Sequence, residues 1–449
     1  MYQSIIPLGG ALDAVIVLPG SKSMTNRALI LAVLSEGTTL LDGVLDSEDT
    51  QVLFNALRQL GLEIEHDSKL HQMRVVGVRG IFPNRHAEIY VGNSGTTARF
   101  LTALLAFSDG NYRIYGKPRM HERPIRDLAD ALQTLGAKIC YEEKIGFPPL
   151  SFSGNVNQFP LPVSDTIVTK SATVSGSVSS QFLSALLMAA PLATQSGNVE
   201  LHVSGNLVSK PYIRMTLEMM KSFGVVAEIA GDFATFRFVK GTAYQTPQTY
   251  RIEPDASGAS YFLAAAAVCG GSVTIPGLSR QSLQGDIAFA DCLEKMGCDV
   301  QWQTDSITVS RPVEKPLRGI SADMNSLSDT AQTLAAVALF AEGATEMTNM
   351  EHIRFKETDR ITDLATELRR FGAVVEERPD GLRIIPPQKL VPAIVETYDD
   401  HRMAMSFAVV GLRLPGVVIN DPECTRKTFP HFFNLLDSLK NTRNYSINW

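Results

Sequence analysis

The chain has 449 residues, 45% of them hydrophobic and 20% charged, the balance of a folded globular protein and not of a disordered one. Its formal charge of −6 gives no general pull toward nucleic acid or an anionic membrane, so any anionic ligand must be held by locally placed basic groups. The length exceeds one ordinary core, and two or more domains are expected.

The chain opens on MYQSIIPLGGALDAVIVLPG, which lacks the basic start and unbroken apolar run of a signal peptide and is not an Arg/Ser-rich transit peptide. The longest apolar run, around Phe262 to Cys269, is far short of a membrane span. Cys140, Cys269, Cys292, Cys298 and Cys424 are odd in number and show no C-x-x-C spacing, which suits a reducing compartment. The protein is read as cytoplasmic.

Along the chain, helical stretches that are apolar nearly all round begin near Ser23, Ser94, Val178, Ala256, Ser328 and Asp400, and these should be buried. Between them recur amphipathic helices followed by a bulky residue, a glycine, a small residue and two short strands around a polar turn. The glycines are Gly61, Gly136, Gly224, Gly297 and Gly372, spaced roughly 73 to 88 residues apart, each where a helix C-cap calls for a left-handed residue. With a terminal helix near Pro430, about six units of strand, buried helix, strand, amphipathic helix, strand, strand are expected. The sixth is expected to be split, its strand and Gly-Ser-Lys segment at the N-terminus and the rest at the C-terminus. Two groups of three predict an α/β (α+β) protein of two domains, with crossovers near residue 20 and near GTAYQTPQTY. The boundaries drawn are 1–20 plus 246–449 for one domain and 21–245 for the other.

The helix starts break a local rule. A helix N-terminus carries partial positive charge and disfavours Lys and Arg. Yet Lys22, Arg27, Arg123, Lys210, Lys356, Arg360, Arg402 and Lys427 are expected in or beside first turns. Repeated so often, the pattern points to anions supplied from outside, with Gly20, Ser21, Gly95, Ser179, Ser180 and Ser209 letting a phosphate approach the backbone. Each motif alone has an ordinary reading: Ser179-Ser180 as a helix cap, KETDR as an exposed salt-bridge face, His401 as a structural histidine. No P-loop, dinucleotide turn or metal-ligand spacing competes, so cofactor-free and metal-free chemistry on phosphorylated substrates is the limit of what spacing supports.

The segments PGSKSMTNRALILA, GNSGTTARF, PRMHERPI, SVSSQFLSALLMAAPL, LVSKPYI, FKETDRI, YDDHRMAM and CTRKTFP resemble the signature segments of the 5-enolpyruvylshikimate-3-phosphate (EPSP) synthase family, from about Pro7 to Pro430. The resemblance implies a two-domain inverse α/β barrel, each domain three βαβαββ units, with the active site in the interdomain cleft. It implies transfer of the enolpyruvyl group of phosphoenolpyruvate (PEP) to the 5-hydroxyl of shikimate 3-phosphate, in the shikimate pathway, by a monomer without cofactor, nucleic acid or membrane. By the same resemblance, shikimate 3-phosphate would meet Lys22, Ser23, Arg27, Ser179, Ser180, Gln181, Ser209, Tyr212, Asp329, His352 and Lys356. PEP would meet Lys22, Asn93, Gly95, Arg123, Gln181, Arg360, Arg402 and Lys427. Lys22, Asp329, Glu357 and His401 are assigned to catalysis, Asp329 and Glu357 as a shared acid/base pair and Lys22 as a charge stabiliser.

The chain departs from the family pattern at Ser94, Thr97, Ala98 and Phe100, in the loop where glyphosate occupies the PEP site, so sensitivity to that herbicide stays open. His352 stands where many members carry Asn, and the segment from Phe159 to Ser175 is longer than usual and expected to be a surface loop. Two rivals are the sister transferase acting on UDP-N-acetylglucosamine and a non-catalytic anion- or RNA-binding protein on the same scaffold. GKPRMHERP lacks the sister family's reactive Cys, and Asp329 and Glu357 are groups that a pure anion binder should avoid.

Overall fold

Two helix populations follow from the two sequence patterns. A computed structural model of the chain describes residues 1–154, 168–441 and 446–447. Among them, helices apolar all round alternate with amphipathic ones: α1 (Lys22–Leu34), α2 (Glu48–Gln59), α3 (Gly95–Ala106), α4 (Arg126–Thr134), α5 (Ser180–Ala193), α6 (Lys210–Ser222), α7 (Ala256–Cys269), α8 (Phe289–Lys295), α9 (Ala331–Ala338), α10 (Arg360–Arg370), α11 (His401–Gly411) and α12 (Phe432–Ser438). The odd-numbered helices are buried over nearly their whole length; α3, α9 and α11 have no exposed residue. The even-numbered ones bury one stripe and leave the other face to water.

Each amphipathic helix ends as its sequence predicts. Gly61, Gly136, Gly224, Gly297 and Gly372 all have φ between +81° and +108°, a region closed to a Cβ-bearing residue without strain.

The chain divides into two compact units, a central one (Lys22–Ile252) and a terminal one (Met1–Ser21 with Glu253–Trp449). In the central unit, His86–Tyr90 pairs in parallel with Gly110–Tyr115, which pairs antiparallel with Leu150–Gly154, itself in a hairpin with Ile139–Tyr141. Thr169–Ser175, Asn198–Ser204, Thr235–Phe238 and Glu228–Ala230 repeat that order. So do Ser321–Asp323, Thr345–Thr348, Gly381–Ile385 and Val374–Arg378 in the terminal unit. In every case the buried helix joins the first, parallel pair, as a βαβ crossover requires.

The remaining sheets correct the expectation of a single split unit. Three sheets borrow one or two strands from a distant part of the chain. Tyr2–Ser4 lies antiparallel to Val418–Asn420, beside Ile394–Val395, and completes the last repeat. Leu12–Ile16 is instead the parallel partner of Gly271–Pro276, in a sheet with Ser306–Arg311 and Asp299–Trp302. Tyr244–Gln245 and Thr249–Arg251 run parallel to Ser35–Asp42, the first sheet of the central unit. Lys22 begins α1 of the central unit, on the side of the boundary drawn for it at residue 21, although the sequence pattern groups the Gly-Ser-Lys segment with the N-terminal strand. The long segment from 159 to 175 is not all loop: Thr169–Ser175 is a seven-residue strand, and 159–167 lies outside the described residues.

In the terminal unit α7, α9 and α11 pack on one another around Phe262, Leu334, Phe407 and Val409, all fully buried. Each such side chain contributes about 1.5–3 kcal/mol by leaving water. Phe371, at the end of α10, stacks on Phe407 at 5.4 Å, tying an amphipathic helix to that core.

Candidate active site

In the central unit, the first turns of α1, α3, α5 and α6 carry the residues of interest. Ser94 and Ser179 cap α3 and α5, their hydroxyls accepting from the Thr97 and Gln181 N–H groups. Ser209 precedes α6 at φ +53°, a left-handed conformation that costs a non-glycine residue about 1–2 kcal/mol. Ser180 and Ser209 are buried. Lys22 makes an ion pair of 3.3 Å with the buried carboxylate of Asp49 on α2, a residue that the sequence patterns did not single out. Lys210 is taken up by Asp232.

Arg123 does not sit in a helix first turn. It follows the 3-10 helix Pro118–Glu122, buried, and its Nη1 donates to the Asn93 carbonyl at 3.0 Å and to Asn93 Oδ1 at 3.3 Å. A Cβ on Gly95 would lie 2.4 Å from Arg123 Nη2, so the glycine keeps room for this guanidinium. Gln181 Nε2 donates to Thr96 Oγ1 at 3.4 Å, linking α5 to α3.

Arg27, in the second turn of α1, is the exceptional cation. Its side chain is 2% exposed, and among the described residues no carboxylate pairs with it. Burial pulls its guanidinium down to about 10, and only Tyr212 opposes the shift. Ser23, Ser179, Ser180, Ser209 and Tyr212 lie on the same unit, around α1, α5 and α6.

The terminal unit is built differently: Lys356, Arg360, Arg402 and Lys427 each share a carboxylate. The 3-10 helix Asn325–Thr330 carries Asp329, whose Oδ2 accepts from Arg402 Nη2 at 2.7 Å and whose Oδ1 lies 3.3 Å from Arg360 Nη1 and 3.6 Å from Lys356 Nζ. Glu357 bridges Arg360 Nη2 at 2.8 Å and Lys427 Nζ at 2.7 Å. KETDR is therefore a half-buried ion-pair network anchored on the buried Arg360 and not an exposed salt-bridge face. Lys427 ends the 3-10 helix Pro422–Lys427 and does not start a helix, contrary to the sequence expectation.

Asp400 holds this cluster from beneath. Fully buried, it accepts from Arg360 Nε at 2.6 Å and Nη2 at 3.2 Å, and caps α11 by accepting from the Arg402 N–H at 2.9 Å. Burial alone would lower the Arg360 guanidinium, but Asp400, Glu357 and Asp329 outweigh it and raise it above its ordinary value. Burial lowers the Lys356 ammonium, against the pull of Asp329. His352, on the 3-10 helix Glu351–Phe355, is pulled down to about 4 by burial and then by Lys356. His401 is buried at the start of α11, its Nδ1 3.6 Å from Asp400 Oδ1. Asp286, pushed up to about 6 by burial and then by Asp329, accepts from Ser257, whose Oγ is 3.5 Å from Arg402 Nη2.

Asp49, Asp400, Asp286 and Ser257 were missed as individuals. DDHRMAM contained Asp400, but nothing in the sequence says which of two adjacent aspartates faces Arg360.

Solved structures define the class first. The EPSP synthase from Acinetobacter baumannii superposes with a TM-score of 0.77 at 24% identity, over 98% of each chain. The enolpyruvyl transferase NikO from Streptomyces tendae gives 0.73 at 17%, over 98% of this chain and 97% of its own. The fold is thus the two-domain α/β fold of these enolpyruvyl transferases. The family model described as EPSP synthase (3-phosphoshikimate 1-carboxyvinyltransferase) matches residues 7–436. The 3-phosphoshikimate 1-carboxyvinyltransferase of Sulfurovum sp. (strain NBC37-1) is 47% identical over 424 residues, 94% of this chain and 95% of its own. That of Paraburkholderia phytofirmans is 48% identical over 427 residues, with 94% and 95% covered. The chain belongs to the EPSP synthase family.

Proposed function

We propose that this chain transfers the enolpyruvyl group of PEP to the 5-hydroxyl of shikimate 3-phosphate, releasing phosphate. The observation that carries the reading is the pair of Asp329 and Glu357, each held by at least two cations, in a chain of this family. In a chain that resembles this family, these two carboxylates are assigned to proton transfer and the cations around them to an anionic partner.

The reaction runs by addition and elimination. The 5-oxygen forms a bond to C2 of PEP and gives up its proton, while the methylene carbon takes a proton and becomes methyl. The tetrahedral adduct then loses phosphate, breaking the C2–O bond, and a methyl proton leaves to restore the double bond. One proton is gained and one lost at carbon, and the proton taken from the 5-hydroxyl leaves with the departing phosphate, so Asp329 and Glu357 return to their starting charge over the cycle.

Arg27 receives the carboxylate of shikimate 3-phosphate and Ser179, Ser180 and Ser209 its phosphate, with Ser23, Gln181, Tyr212, His352 and Lys356 nearby. Arg123, Arg360, Arg402 and Lys427 receive the phosphate and carboxylate of PEP, beside Asn93 and Gly95. The planar guanidinium fork suits both groups. Lys22 stabilises charge at the reacting oxygens, and His401 supports the acid/base pair. The enzyme works as a cytoplasmic monomer and needs no cofactor. Among the described residues no helix is long and apolar enough to cross a membrane.

Turnover in heavy water tests the mechanism. Addition through a methyl group predicts deuterium in the vinyl position of the product; a product free of deuterium would refute the protonated adduct.

A further inference from the structure

A buried guanidinium without an acidic partner needs some other means of being held. Arg27 Nε donates to Thr216 Oγ1 at 2.8 Å, Nη2 to Ser184 Oγ at 3.1 Å, and Nη1 to the Ser23 carbonyl at 3.0 Å. The two hydroxyls lie 3.0 Å apart, and Thr216 Oγ1 also donates to the Tyr212 carbonyl at 2.7 Å. Ser184 and Thr216 are fully buried. The guanidinium carbon also sits 5.2 Å from the Phe100 ring centroid and 5.8 Å from that of Tyr212, within cation–π range.

Their places in the helices are equivalent. Ser184 follows Ser180 by one turn of α5, and Thr216 follows Tyr212 by one turn of α6. The hydroxyl one turn behind each of these first-turn residues thus reaches Arg27. Three of the five guanidinium N–H groups are spent on the protein, which leaves one on each Nη, the fork that meets the two oxygens of a carboxylate.

We infer that Ser184 and Thr216 are positioning residues that fix Arg27 as a rigid receptor for the carboxylate of shikimate 3-phosphate. The inference rests on the functional reading above. Two neutral hydroxyls satisfy the buried cation without neutralising it, so its charge is kept for the substrate. An aspartate in either place would fill that role itself and compete with the ligand.

The test compares Thr216→Val, Ser184→Ala and the conservative Thr216→Ser in the full chain. Calorimetry reads the affinity for shikimate 3-phosphate and for its analogue with a carboxamide in place of the carboxylate. Thr216→Val and Ser184→Ala should each weaken shikimate 3-phosphate about tenfold, the loss expected when a buried N–H loses its acceptor. The carboxamide should change by less than about twofold, the KM for PEP should hold, and Thr216→Ser should retain near-normal affinity. Unchanged affinity in folded variants, or equal weakening of both ligands, would overturn the positioning role. Should Ser184→Ala fail to fold, Thr216→Val decides alone. Wild-type turnover with both substrates is checked first: its absence refutes the functional reading, whereas intact turnover with indifferent variants refutes only this inference.

Discussion

At the scale of single residues, the same side chain type behaves according to what surrounds it. Arg27 is buried among hydroxyls and rings and is held near 10, while Arg360 is buried among three carboxylates and is raised. Both were visible in the sequence as misplaced cations, but their surroundings were not, because Thr216, Ser184 and Asp400 come from other helices. Gly95 gives the sharpest steric prediction. Gly95→Ala places a methyl against Arg123 Nη2, and since the tip of a flexible side chain can yield, the fold should survive. The KM for PEP should rise about tenfold or more, with the melting temperature little changed; an unaltered KM would show that Arg123 does not serve PEP.

His352 makes a prediction about pH. In the unfolded chain its imidazole titrates near the ordinary 6.5, and in the folded protein at about 4, so folding favours the neutral form. Its contribution to stability is therefore full above pH ~6.5 and is lost as the pH falls toward 4, by up to roughly 3 kcal/mol. The stability difference between wild type and His352→Asn, measured by urea unfolding at successive pH values, should shrink over that window. A difference flat with pH would contradict it. Asp286 acts in the opposite sense: its folded value is raised to about 6, so its contribution grows as the pH falls below that. The wild-type curve alone would mix the two, which is why the single variant is compared.

At the scale of elements, the amphipathic helices and their glycine stops were legible because both depend on local rules, the 3.6-residue period and the left-handed C-cap. The 3-10 turns were not. Asp329, Arg123 and Lys427 all belong to or follow 3-10 helices, whose short runs leave no period to read. Strand borrowing was only partly legible, since Leu12–Ile16 alternates as a strand should but carries no sign of its partner. Asp400 shows how a cap can serve a site. Asparagine caps a helix as well as aspartate does, so Asp400→Asn isolates the loss of the Arg360 pair. Breaking that buried pair should cost about 3 kcal/mol or more in denaturant unfolding. Asp359→Asn caps α10 equally, and with its side chain 41% exposed beside Arg354 it should cost under about 1 kcal/mol. Equal losses at the two sites would contradict the anchoring role of Asp400.

At the scale of the whole molecule, internal repetition carried most of the information. One irregular basic turn says little, but the same irregularity in successive repeats defined a set of anion-holding residues, of which the structure collects Lys356, Arg360, Arg402 and Lys427 into one network around Asp329 and Glu357. The net charge of −6 sets a limit on what this network can attract at long range. A single-stranded RNA oligonucleotide should show no binding in low salt; affinity that falls steeply as salt rises would instead mark a nucleic-acid surface.

The central claim is tested most directly by phosphate release from PEP, followed with and without shikimate 3-phosphate, in wild type and in Glu357→Gln. The account predicts release only with both substrates and its collapse in the variant, whose fold is retained. Release from PEP alone, or silence from folded wild type with both substrates present, would contradict it.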